Sequence, residues 1–210
     1  MNKIKLTYFD IDGGRAEPIR IAMSIGGIDF EDHRISFAEF GRMRASTPLS
    51  AVPILEIDGV VYTQSNAMNR YFGKQAGLYP EDPWQVFRCD EVMEAIEDVL
   101  HFTVRTFGLQ GEELKAARQK LADEPFTKCL KLLDVRLETA GGKYFADGRL
   151  TVADLKVFVW VRSLKSGVLD HVPSDLTDRI APQLVCHMER IAAEPGVAAY
   201  YARLNANSGQ

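Results

Sequence analysis

The sequence predicts a small mixed α/β domain followed by an all-helical domain, and three observations carry that reading. Residues 3–9 alternate Ile4, Leu6 and Tyr8 against Lys3, Lys5 and Thr7, the period of a strand with one buried face. Asp58-Gly59 separates two short apolar runs, the chemistry of a two-residue hairpin turn. Beyond Pro80 and Pro83 strand signals stop, and apolar residues recur only at three- and four-residue steps.

Taken in order, Asp10-Ile11-Asp12-Gly13-Gly14 ends the first strand. A helix follows from Arg15, with Pro18 tolerated in its first turn, Ile19, Ala22 and Met23 on its apolar side, and Gly26-Gly27 closing it. Residues 30–35 read as a second strand, so the opening is a β-α-β unit with parallel strands and a right-handed crossover. Residues 37–45 predict a short irregular helix ahead of Pro48. The hairpin around Asp58 adds two strands, with Pro53 at the start of the first, where its missing N–H is harmless. Ser65 then serves as N-cap of a helix over 65–77 that covers the sheet. The expected division is a sheet domain at 1–79, a linker at 80–83 and a helical domain at 84–210.

In the helical part, Trp84, Phe87, Met93, Ile96, Leu100 and Phe107 mark a long amphipathic helix ending near Gly108. Residues 114–122 continue helically, Pro125 begins the next helix, and Gly141-Gly142 stops it. Thr151-Val152-Ala153-Asp154 matches a capping box with Asp at the third helical position, flanked by Leu150 and Leu155 as a hydrophobic staple. The helix it starts is apolar nearly all round until Arg162, which suits a domain centre. Helices over about 178–194 and 195–204 complete the domain, and residues 205–210 read as a loose tail.

Composition narrows the function. The chain has 210 residues and a formal charge of −4, with no basic block, so neither nucleic acid nor an anionic membrane is an expected partner. No apolar run approaches the roughly 18 residues of a membrane span, and the N-terminus leads straight into a strand, which points to the cytoplasm. Cys89, Cys129 and Cys186 are far apart and read as small packing residues; the four histidines lack metal-site spacing, so no metal is expected. The hairpin edge and the helix start at Gln64 and Ser65 bring free backbone amides together, where a small anion can dock.

The layout resembles the cytosolic glutathione transferases, which join a thioredoxin-like α/β domain to a helical one. Leu6-Thr7-Tyr8-Phe9, Gly14-Arg15-Ala16-Glu17-Pro18-Ile19-Arg20, Glu31-Asp32-His33-Arg34-Ile35, Val52 to Gly59, and Gln64-Ser65 with Ala67 are similar to the sigma class, which includes glutathione-dependent prostaglandin D synthases. The resemblance covers essentially the whole chain. It implies an enzyme, a glutathione transferase with glutathione as co-substrate and a small hydrophobic electrophile as acceptor. Tyr8 would donate its hydroxyl to the glutathione sulfur, with Arg15 adding positive field. Val52 and the cis-proline Pro53 would pair with the cysteinyl backbone, Gln64 and Ser65 would grip the γ-glutamyl carboxylate, and Phe40 and Arg44 would flank the glycyl end. Asp98 would reach the γ-glutamyl amino group across a homodimer interface. Phe9, Leu100 and Arg105 would border the acceptor pocket.

The resemblance also has departures. Ala51 stands where many related sequences carry a lysine for the glycyl carboxylate, Phe40 replaces a tryptophan, and Gly13-Gly14 lengthens the loop after Tyr8 by one residue. Losing a charge-assisted contact costs about 1.5–3 kcal/mol, so glutathione binding weaker than is typical of the class is expected. The alternatives are a glutathione-dependent isomerase or peroxidase, which would use the same thiolate, and a non-catalytic ligand carrier on the same fold. No cysteine is expected near Tyr8, which disfavours mixed-disulfide chemistry.

Overall fold

Strand β1 (Ile4–Phe9) lies inside the sheet, paired in parallel with β2 (Glu31–Ile35) and antiparallel with β3 (Ile54–Ile57), to which the edge strand β4 (Val60–Tyr62) is added. The order is β2-β1-β3-β4, in a computed structural model that describes residues 3–208. Leu6 opposes Leu55 in the register, and both are buried with Ile19, Met23, Met68 and Phe72 in a core between the sheet and two helices. Those helices are α1 (Glu17–Ile25) and α3 (Ser65–Gln75). Helix α2 (Phe37–Met43) has no buried residue; Ser36 and Glu39 open it with a reciprocal capping box.

The second part consists of α4 (Pro83–Val104), α5 (Gly111–Leu121), α6 (Thr127–Thr139), α7 (Val152–Lys165), α8 (Leu176–Ile180), α9 (Pro182–Ala193) and α10 (Pro195–Ser208). As the apolar sequence demands, α7 is central, with residues 151–161 all buried. Asp154 locks its start: its carboxylate accepts from the Thr151 amide at 2.8 Å and hydroxyl at 2.7 Å, from the Phe145 amide at 3.0 Å, and pairs with His187 Nε2 at 3.0 Å.

Several elements differ from the sequence expectation. Ser65 is the first residue of α3 rather than its cap; Gln64 occupies the cap with φ 76° and ψ 99°, a conformation set by the turn out of the hairpin. Pro125 does not start a helix. It lies in a single π turn, Ala122–Phe126, through which α5 runs into α6, and the wider turn gives room for the proline ring and its missing amide hydrogen. The helix expected over 178–194 is two, broken at Ala181 (φ −146°, ψ 66°), because the residue before Pro182 is pushed out of helical conformation. Helix α4 stops at Val104, short of Gly108. Residues 205–208, expected as a loose tail, extend α10, which is anchored by buried Val197 and Tyr200; the Tyr200 hydroxyl donates to Glu17 at 3.1 Å. Residues 209 and 210 lie outside the described residues. Cys89 and Cys129 are buried as expected, but Cys186 is exposed, because α9 turns its neighbours Leu184 and His187 inward instead.

Candidate active site

Tyr8 comes from the C-terminal half of β1, where strand alternation aims its ring into the sheet-domain core; it is only 5% exposed. Its hydroxyl oxygen accepts the Arg15 backbone amide at 3.1 Å. That contact depends on Gly14, which has φ 66° and whose place a Cβ could not share, since it would lie 2.5 Å from the Tyr8 hydroxyl. Burial pushes the phenol pKa up, against the lowering pull of the Arg15 amide and of the Arg15 and Arg20 charges. The group therefore stays protonated at neutral pH, with its oxygen occupied as acceptor and its own hydrogen free to donate.

The Arg15 side chain does not stand alone. Its Nε donates to Glu97 on α4 at 2.5 Å, so the loop after β1 is tied to the helical part. The other Glu97 oxygen accepts from Lys156 Nζ at 2.9 Å and from the Ser65 hydroxyl at 3.4 Å. Lys156, on α7, is 1% exposed and also donates to Asn66 on α3. Burial works against ionisation of Glu97, but Lys156 and Arg15 outweigh it and hold the carboxyl below its usual pKa. Hydrogen bonds thus link Tyr8, Arg15, Glu97, Ser65, Lys156 and Asn66 at the seam between the two parts. Sequence reasoning named Tyr8, Arg15 and Ser65 and missed the others. A signal existed: a lone lysine in the apolar run Leu155 to Val161 has to find a buried acid.

The remaining site residues are dispersed over both parts of the molecule. Val52 and Pro53 are buried beside the sheet, joined by a cis peptide bond, and Gln64 is exposed at the start of α3. Phe9 stacks on Phe37 with ring centroids 4.5 Å apart and meets Phe40 edge-on at 5.2 Å. Arg44 is exposed and donates to the Ser50 carbonyl at 3.3 Å. Asp98, next to Glu97 in sequence, points elsewhere: it is exposed and lines a cleft of about 690 Å³ between α4, α5 and α6. Arg105 borders that same cleft and contacts His101 and Phe102, whereas Leu100 packs against the helical core. Among the described residues, no three His, Cys, Asp or Glu side chains gather where a metal ion could be held.

A thioredoxin-like sheet joined to a helical bundle, with a protonated phenol held at the seam, defines the class of two-part glutathione-dependent proteins. Residues 4–74 match the glutathione S-transferase N-terminal domain and residues 97–203 the glutathione S-transferase C-terminal domain. The hematopoietic prostaglandin D synthase of Gallus gallus is 33% identical over 200 residues, covering 95% of this chain and 96% of its own. Glutathione S-transferase 1 of Ascaris suum is 30% identical over 207 residues, covering 96% and 97%. Among solved structures, prostaglandin synthase D of Nilaparvata lugens superposes with a TM-score of 0.82 at 27% identity, covering 95% of this chain and 97% of that one. The sigma class transferase of Fasciola hepatica gives 0.79 at 25%, covering 96% of each. The chain belongs to the glutathione S-transferase family, on its sigma-like branch, and is a glutathione transferase.

Proposed function

We propose that the protein conjugates glutathione to a small hydrophobic electrophile, using Tyr8 to hold the sulfur as thiolate. The single observation behind this reading is the Arg15 amide on the Tyr8 oxygen at 3.1 Å, which leaves the phenolic hydrogen for the substrate. The thiol proton leaves to solvent, the thiolate attacks the electrophilic carbon, a carbon–sulfur bond forms and the leaving group departs with its electron pair. In this reading Val52 and Pro53 align the cysteinyl backbone, and Gln64 and Ser65 take the γ-glutamyl carboxylate at the start of α3. Phe40 and Arg44 flank the glycyl end, and Phe9 borders the acceptor; Leu100, packed in the helical core, and Arg105, on the cleft that Asp98 lines, lie apart from it and are not carried into this reading. Incubating the protein with glutathione and a chromogenic aryl halide tests this: conjugate formation above the uncatalysed rate supports it, and none across several electrophiles overturns it.

The glycyl end offers a quantitative check. Ala51 is exposed and carries no charge for that carboxylate. Ala51→Lys is expected to lower the Michaelis constant for glutathione about 3- to 5-fold with kcat nearly unchanged, the size of an exposed ion pair.

We further propose a cytoplasmic homodimer in which Asp98 reaches the partner's glutathione. Asp98 and Phe87 are eleven residues apart on α4, about three full turns, so they share a face. Phe87 is 55% exposed, stacked on Trp84, which is 62% exposed, an arrangement suited to burial against a second copy. Light scattering is expected to give twice the 23.5 kDa chain mass; a monomer at micromolar concentration removes any role for Asp98 across an interface.

A second reading, glutathione-dependent isomerisation, draws support from the names of the Gallus gallus and Nilaparvata lugens relatives. It uses the same thiolate and returns it unchanged. Conversion of an endoperoxide without net loss of glutathione distinguishes it from conjugation. Peroxide reduction would instead consume two glutathiones per turnover.

A further inference from the structure

We propose that Lys156 is a positioning residue for glutathione ionisation, acting through Glu97 and Arg15 on the geometry and the field at the Tyr8 hydroxyl. This inference rests on the glutathione-activating role of Tyr8 proposed above. Lys156 sits in a helix segment where Leu155, Val157, Phe158, Val159, Trp160 and Val161 are all buried, and it is itself only 1% exposed. A buried ammonium is costly, and an apolar side chain of equal volume in such a place is often as good for stability or better. Stability alone therefore does not call for a lysine here, and its contacts lead to the reacting centre.

The path is short. Lys156 Nζ donates to Glu97 Oε2 at 2.9 Å and to Asn66 Oδ1; Glu97 Oε1 accepts Arg15 Nε at 2.5 Å; the Arg15 amide meets Tyr8 Oη at 3.1 Å. Ser65, at the first turn of α3, donates to the same Glu97 carboxylate. Fixing Glu97 from the far side thus fixes the Arg15 loop and the α3 start together.

The charges add a second effect. Arg15 and Lys156 carry two positive charges and Glu97 one negative, so these three groups sum to plus one, and removing either charged partner of Arg15 changes the field at Tyr8 by one unit of known sign. The neighbouring clusters each carry one net negative charge, so what Lys156 contributes is the difference its single positive charge makes beside Tyr8. Arg20 lies 5.9 Å from the Tyr8 ring and is itself paired with Glu17 and Asp32. Glu94, Arg70 and Asp90 lie beyond Asn66 along the hydrogen bonds, where Arg70 is shared between the two acids. Without Lys156 the cluster is neutral; without the Glu97 charge it is positive by two.

That arithmetic yields a test that mere loosening would not imitate. In the full-length protein, the ultraviolet absorbance of bound glutathione thiolate and the pH profile of kcat/KM with an aryl halide both report the apparent pKa of the thiol. Lys156→Met is expected to raise that pKa by about one unit, a tenfold smaller thiolate fraction well below it. Glu97→Gln is expected to shift it the opposite way. Should Lys156→Met not fold, Lys156→Gln, which keeps hydrogen-bonding atoms and removes the charge, is expected to give the same upward shift. Shifts of the same sign in the lysine and glutamate variants, or none, overturn the inference. A wild-type protein that neither ionises nor conjugates glutathione overturns the role of Tyr8 instead, whereas a wild type that does both beside unmoved variants overturns only the role of Lys156.

Discussion

Tyr8→Phe is expected to lower kcat/KM for conjugation by about 25-fold at pH 7, with the Michaelis constant for glutathione changed little. The substitution keeps the ring that meets Phe9 at 5.2 Å and removes only the hydroxyl, so packing survives. A donor that lowers the thiol pKa by about two units is equivalent to about 2.7 kcal/mol of thiolate stabilisation. Without it the thiol returns toward its free value of about 8.5 and is mostly protonated at neutral pH. The deficit is therefore pH-dependent: the thiolate fraction of the variant recovers as pH rises, so the gap between variant and wild type narrows toward pH 9. Steady-state kinetics across that range check it. A loss of glutathione binding equal to the loss of turnover would assign Tyr8 a structural role.

The second large effect is on stability. Asp154→Ala is expected to cost about 3–5 kcal/mol, because it leaves several buried donors without an acceptor at once. The Thr151 amide and hydroxyl, the Phe145 amide and His187 all use this one carboxylate, which is fully buried at the head of α7. An unsatisfied buried donor costs about 1–3 kcal/mol, and typical domain stability is only about 5–15 kcal/mol. A urea titration followed by circular dichroism should show a markedly lower midpoint with an unchanged slope. A midpoint within experimental error of wild type would show that the surrounding helices, not this cap, hold α7 in place.

Both residues were legible in the chain for the same reason: their signals are local. Tyr8 sits in a period-two alternation, and Asp154 stands three residues after a threonine that opens an apolar helix. The hairpin at Asp58-Gly59 and the helical character after Pro83 were readable on the same terms, within a few residues of chain. Where local rules compete, the reading slipped. Serine is a good cap, yet the hairpin exit put Gln64 in that position and left Ser65 free to reach Glu97. Proline is a good helix starter, yet at Pro125 packing of buried Leu121 and Phe126 carried the helix through a π turn.

The amino-acid sequence by itself determined the strand order, most of the helices, the two-part architecture and the phenol at the end of the first strand; the glycine against which the phenol packs and the break before Pro182 came from the structure. Only the tertiary structure decided which acid meets Arg15, that a lysine lies buried behind that acid, and that Asp98 lines the α4–α5–α6 cleft while Glu97 turns to Arg15 and Lys156. The physical reason is range. Alternation, turn chemistry and caps act between neighbours in the chain, but Arg15 and Glu97 are 82 residues apart and Glu97 and Lys156 59. Their pairing exists only after α4 and α7 have packed under the sheet domain, where a lysine taken out of water has to meet an acid from another helix.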